Sequence, residues 1–163
     1  MLSSIMENLE NQDAAILMYP VNSQSLSRVQ KGLKDEGFPL IPKEYLDFLH
    51  LTNGLIYDET FFYGTEEIEE ERLVGILEAN RDFFSGDKEH NILVIGTHNG
   101  DTLIYNSIKD IYEILDRNSG ETIEEFETLL DMVSEFCDDD SYFYDEELDE
   151  LDDLGFEDED DED

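Results

Sequence analysis

Asn99-Gly100 restricts the fold more than any other pair in this chain. Both residues accept the left-handed backbone that a two-residue type I′ turn needs. The pair lies between two strand-forming runs, residues 92–97 and 102–105, and so predicts a tight antiparallel hairpin. Ile92-Leu93-Val94-Ile95 is uniformly apolar and largely β-branched, the pattern of a central strand covered on both faces. Residues 106–110 predict a second, looser turn, and residues 111–115 a third strand. Three consecutive strands joined by short turns make an antiparallel meander.

Helical spacing governs the flanks. Ser3-Ser4 can cap a first helix with Ile5, Leu9, Ile16 and Leu17 as its apolar residues, and Tyr19-Pro20-Val21-Asn22 is a break. Ser23 or Ser25 then caps a second helix, with Leu26, Val29 and Leu33 at spacings of three and four, and Gly37 ends it. Two short strands are expected at 55–57 and 60–63 around an Asp58-Glu59 turn. Gly64-Thr65 precedes Glu66, Glu67, Glu69, Glu70 and Glu71. Acidic side chains favour a helix N-terminus, so this run is expected to open a helix continuing through Leu73, Ile76, Leu77, Asn80 and Phe84. Ser85-Gly86-Asp87 closes it. Near the end, Thr122 and Glu125 have the spacing of a capping box. It predicts a helix over 123–136 that packs Ile123, Phe126, Leu129, Leu130, Val133 and Phe136 on the sheet.

Between the second helix and the first strand lies a self-contained unit, residues 41–54. Pro42 suits a first helical position, where a missing N–H is harmless. Tyr45, Leu46, Phe48, Leu49 and Leu51 form one broad apolar face, and Asn53-Gly54 stops the helix. Ile41-Pro42, Tyr45, Phe48-Leu49 and Asn53-Gly54, followed downstream by Ile95-Gly96 and Asn99-Gly100, resemble the signature of the SUKH superfamily. That family holds bacterial immunity proteins and fungal cell-wall assembly regulators. The resemblance covers roughly residues 25–136. Many members carry a Trp soon after the Asn-Gly; this chain has no Trp and offers Tyr57, Phe61 and Phe62 there. The resemblance implies a non-catalytic, protein-binding module.

With 39% hydrophobic residues, ten Phe and eight Tyr, the 163-residue chain can bury a core that needs no metal or disulfide. Each Å² of apolar area removed from water contributes about 25 cal/mol. Cys137 is the only cysteine, which excludes an internal disulfide and fits a reducing compartment. No apolar run reaches the roughly 20 residues of a membrane span, and residues 1–12 carry Glu7 and Glu10 but no Lys or Arg, unlike a signal peptide. The expected location is the cytoplasm. Formal net charge is -36, from 45 acidic and 9 basic side chains. Such a surface repels phosphate backbones and anionic lipids, which argues against nucleic-acid or membrane partners. It attracts basic proteins. From Asp138 the chain becomes an acidic tail: Asp138-Asp139-Asp140 opens it, 157–163 is purely acidic, and no Lys or Arg follows Arg117. The end of this tail is expected to be disordered, while Tyr144, Leu148 and Leu151 have the spacing of a short docking helix.

The sequence carries no recognisable catalytic or metal-binding constellation. Read from Asp138, Tyr142 and Phe143 stand where an EF-hand needs an oxygen ligand and a glycine. His50, His90 and His98 have no zinc-ligand spacing with Cys137. There is no phosphate-binding glycine loop or nucleophile elbow. No cofactor is expected. The expected architecture is α+β: an antiparallel sheet of about four to six strands packed with helices over residues 1–137, and an acidic extension over 138–163. The expected function is binding and neutralising a basic, nucleic-acid-targeting toxin domain, with a housekeeping adaptor for cellular proteins as the alternative. Asp58, Glu59, Glu66, Glu67, Glu69, Glu70, Glu71, Asp138, Asp139 and Asp140 are the candidate contacts.

Overall fold

A computed structural model describes residues 5–7, 9, 15–84 and 90–137. The expectations for the Ser85-Gly86-Asp87 stop and for the acidic tail, Asp138, Asp139 and Asp140 included, lie outside them. The architecture is α+β, built on one seven-stranded antiparallel sheet. Its strands are β1 (Ala15–Leu17), β2 (Leu55–Tyr57), β3 (Thr60–Phe62), β4 (Ile92–His98), β5 (Asp101–Asn106), β6 (Ile111–Leu115) and β7 (Thr122–Phe126). They lie side by side in chain order, so the meander expected from three strands extends across the whole sheet. The helices are α1 (Ser23–Asp35), α2 (Lys43–Leu51), α3 (Ile76–Phe83) and α4 (Leu129–Cys137). Ile5, Met6, Glu7 and Leu9 are also helical.

The turn chemistry behaves as the residues require. Asn99 (φ 51°) and Gly100 (φ 91°) both take positive φ, and Asp101 pairs with His98 directly across them. Asp58 takes φ 57° in the two-residue turn that pairs Tyr57 with Thr60. Gly37 (φ 82°) ends α1, whose N-cap is Asn22 rather than either serine. The Asn22 carboxamide oxygen accepts from Ser25 N at 2.8 Å.

β4 is central and covered on both faces. Leu93 and Ile95 join the main core with Val29 and Leu33 of α1, Tyr45, Phe48 and Leu49 of α2, and Leu129, Met132 and Val133 of α4. Val94 lies on the other face with Ile104 and Leu115. β3 stops opposite Gly96, which leaves the first half of β4 without a strand neighbour on that side. The fully buried Asn80 of α3 supplies the missing partner. Its amide nitrogen donates to Val94 O (2.9 Å) and its oxygen accepts from Val94 N (2.8 Å). Satisfying that pair matters because an unpaired buried backbone group costs roughly 1–3 kcal/mol.

Five further expectations are corrected. Ile16 and Leu17 belong to β1, not to a first helix, because their pairing with Ile56 and Leu55 extends the sheet. Pro42 is the N-cap of α2, one residue before the helix, with an extended ψ of 160°. Leu51 is 39% exposed and falls outside the buried face of that helix. Residues 66–73 are not helical beyond a single 3₁₀ turn at Glu69–Glu71; α3 begins only at Ile76. The capping-box segment is strand β7: Phe126 pairs with Tyr112 in the core, and Ile123 is 55% exposed. Pairing with β6, which would otherwise be a bare edge, outweighs the local helix signal. The same chemistry recurs six residues later, where Thr128 Oγ1 accepts from Asp131 N (3.1 Å) at the start of α4. Glu44 of α2 accepts from Leu129 N (3.1 Å) there as well.

Candidate functional site

Asn53-Gly54 does more than stop α2. The Asn53 oxygen accepts from Thr65 N and its amide nitrogen donates to Thr65 Oγ1, both at 2.8 Å. Thr65 is fully buried. Gly54 (φ 113°) and Gly64 pack so closely that a Cβ on Gly64 would lie 2.1 Å from Asn53 O. This contact fixes one end of the segment 64–76. The other end closes through a Gly64–Gly75 bridge and an Ile76 N to Gly64 O bond of 2.8 Å. Inside it, Ile68 and Leu73 exchange backbone hydrogen bonds of 2.7 and 3.1 Å, and Arg72 turns the chain with φ 59°. Leu73 is fully buried and roots the loop in the protein. The acidic run is thus carried on a compact loop with closed ends, a type of loop often used for function.

Facing this loop is the chain that leaves β1. Thr52 Oγ1 accepts from Met18 N (2.7 Å), Asn53 N donates to Tyr19 O (2.9 Å), and Val21 N donates to Leu49 O (3.0 Å). The end of α2 therefore holds both walls of one open groove of about 840 Å³. Ile16, Leu17, Met18, Tyr19 and Pro20 form an apolar strip along it; Glu66, Glu67, Ile68, Glu70 and Glu71 form the opposite wall. Tyr19 is 90% exposed. Glu66 accepts a hydrogen bond from Ser25 Oγ of α1 (2.5 Å). The carboxylates of Glu67, Glu70 and Glu71 make no hydrogen bond or ion pair among the described residues. Glu69 sits on the loop but does not line the groove.

Asp58 and Glu59 are not part of this site. They lie at the opposite end of the sheet, where Asn99 N donates to Glu59 O (3.1 Å). There Arg117 covers the β4–β5 turn, donating to Asn99 O at 3.3 Å. His98 shares a 2.7 Å hydrogen bond with Thr60 Oγ1 and stacks on Phe136 with ring centres 4.1 Å apart. Burial pulls its pKa below the ordinary histidine value, against the opposing charges of Asp101, Glu59 and Glu135. The residues that carry the resemblance play structural parts. Ile41, Tyr45, Phe48, Leu49 and Ile95 are buried. A Cβ on Gly96 would lie 2.0 Å from Phe61 O. The Tyr45 hydroxyl donates toward Tyr63 O (2.5 Å) and Ile95 O (3.2 Å), tying α2 to β4 and to the chain that leaves β3.

No cluster of His, Cys, Asp or Glu that could hold a metal ion stands among the described residues. Glu113 is buried, and it is satisfied by Asn106 Nδ2 (3.1 Å) and Thr122 Oγ1 (2.8 Å). His90 stacks on Phe84 and Phe38, and its buried Nε2 has no hydrogen-bond partner among the described residues. Cys137 is buried. No helix among the described residues is long and apolar enough to cross a membrane.

Sequence reasoning missed the apolar strip because it split residues 16–20 between a helix and a break. The legible signal is an aperiodic apolar run that ends in Pro20, which suits a strand and its exit better than a helix. No protein-family model and no curated protein matches this chain.

Proposed function

We propose that this chain is a non-catalytic, SUKH-type binding module that acts in the cytoplasm by covering a basic, nucleic-acid-targeting toxin domain. The observation that carries the reading is the groove. It sets the carboxylates of Glu67, Glu70 and Glu71, which have no partner among the described residues, on a pinned loop against an exposed apolar strip. Enzymes that cleave or modify nucleic acids hold phosphates with Lys and Arg, so an acidic cover is complementary to them. The net charge of -36 adds a field that speeds encounter with such a partner. The apolar strip adds the short-range contact that charge alone does not provide.

The test is affinity capture from lysate of the source organism at physiological salt, followed by titration of the purified partner and assay of its nucleic-acid-cleaving or nucleic-acid-modifying activity. The expected result is one basic partner bound one to one, whose activity stops on complex formation. Several weak partners with no such activity would replace this reading with the adaptor. A set of basic proteins that washes off as salt rises would reduce the interaction to a polyanion effect.

A further inference from the structure

We propose that the groove receives one short segment of a protein partner that carries lysine or arginine beside aliphatic or aromatic side chains. The inference rests on the binding reading above and specifies its site and occupant. Carboxylates cover this protein, so a partner recognised by charge alone would bind anywhere on it. The groove differs by placing apolar surface next to charge. Tyr19 (90% exposed) and Ile16 (36% exposed) border one side, and Glu67, Glu70 and Glu71 the other. A segment lying between them buries its apolar side chains on the strip. Its cations then meet carboxylates that have no competing partner among the described residues. Water displaced from the strip lowers the local dielectric and strengthens those ion pairs relative to exposed ones. The volume of about 840 Å³ lies toward the upper part of the common range for ligand sites, roughly 300–1,000 Å³. It suits a few residues of chain rather than one side chain. The groove walls are also fixed before binding by the Asn53–Thr65, Thr52–Met18 and Ser25–Glu66 hydrogen bonds. Preorganisation of that kind limits the ordering cost of association.

The experiment uses the full chain and two fluorescent peptides of equal length and charge. One alternates lysine with leucine; the other has serine in place of leucine. Anisotropy titrations at physiological salt should give about tenfold tighter binding of the leucine peptide, a difference of about 1.4 kcal/mol. Amide shift changes should concentrate at residues 16–20 and 66–71. Reversing Glu67, Glu70 and Glu71 to lysine should weaken the leucine peptide about tenfold or more. Reversing Glu121, Glu124 and Glu127, all exposed at the β7 edge, should have a much smaller effect. Tyr19→Ser, at a position too exposed to affect folding, should reduce the preference for leucine and leave the serine peptide unchanged. Equal binding of both peptides, or equal loss from both triple reversals, would overturn the assignment. If the peptides fail while a captured partner still binds one to one, the site is wrong and the toxin-binding reading stands. If the leucine peptide is held here and no stoichiometric basic partner exists, the groove stands and the toxin reading falls.

Discussion

Tyr45 shows how one side chain can join two distant stretches of chain. Its ring is fully buried against Phe48, with ring centres 5.0 Å apart, and its hydroxyl reaches the carbonyls of Tyr63 and Ile95. Burial pushes its phenol pKa well above the usual tyrosine value, so the group stays neutral and keeps its proton as a donor. Ile95 O also accepts from Tyr63 N (2.8 Å), whereas Tyr63 O has the phenol as its side-chain partner. Tyr45→Phe preserves the ring packing and removes that donor. The expected loss is about 1–2 kcal/mol, because the half-buried Tyr63 carbonyl is left without it. For a domain of this size that lowers the thermal midpoint by roughly 2–8 °C. Unchanged denaturant and thermal midpoints would mean that the hydroxyl is incidental and that the aromatic ring alone explains the residue.

At the scale of elements, the acidic loop depends on α2 through two side-chain hydrogen bonds. Asn53→Ala removes both and leaves the Thr65 amide, buried and aimed at Asn53, without its acceptor. A penalty of about 1–3 kcal/mol concentrated in one loop should appear as local opening. Hydrogen exchange at Thr65 should accelerate about tenfold or more, while amides of β4 and β5 keep their wild-type order of protection. Equal acceleration across the sheet would show that Asn53 stabilises the whole protein and does not specifically position the loop. Such long-range dependence also explains which elements were legible in the sequence. Asn99-Gly100, Asp58-Glu59 and Gly37 act within a few residues of themselves, so local chemistry predicted their turns. β7 and the 66–73 loop are decided by β6 and Asn53, partners that local patterning does not see. The acidic half of the groove was therefore visible as composition, but not as a wall. Its apolar half was hidden because β1 is three residues long and takes its identity from pairing with β2.

For the whole molecule, the largest quantity is the imbalance between 45 acidic and 9 basic side chains. Four ion pairs stand among the described residues: Lys31–Asp35, Lys43–Asp47, Glu36–Arg81 and Lys109–Glu125. All are solvent-accessible, and such pairs contribute about 0–1 kcal/mol each. Repulsion among the excess carboxylates of the described, folded residues is relieved when unfolding moves the charges apart. Salt weakens both effects, so the sign of its influence reveals the larger one. Raising ionic strength from about 10 mM to about 150 mM shortens the Debye length from about 30 Å to about 8 Å. Charges spread over a surface of 9198 Å² lose most of their mutual repulsion over that change, while contact pairs within 3.3 Å lose less. The unfolding midpoint should therefore rise with salt. Sodium chloride and choline chloride should give the same curve, because screening depends on ionic strength and needs no bound cation. A midpoint that falls would show that the few ion pairs outweigh the imbalance. A rise with sodium alone would move the explanation from the field of the whole protein to cations held at particular carboxylates.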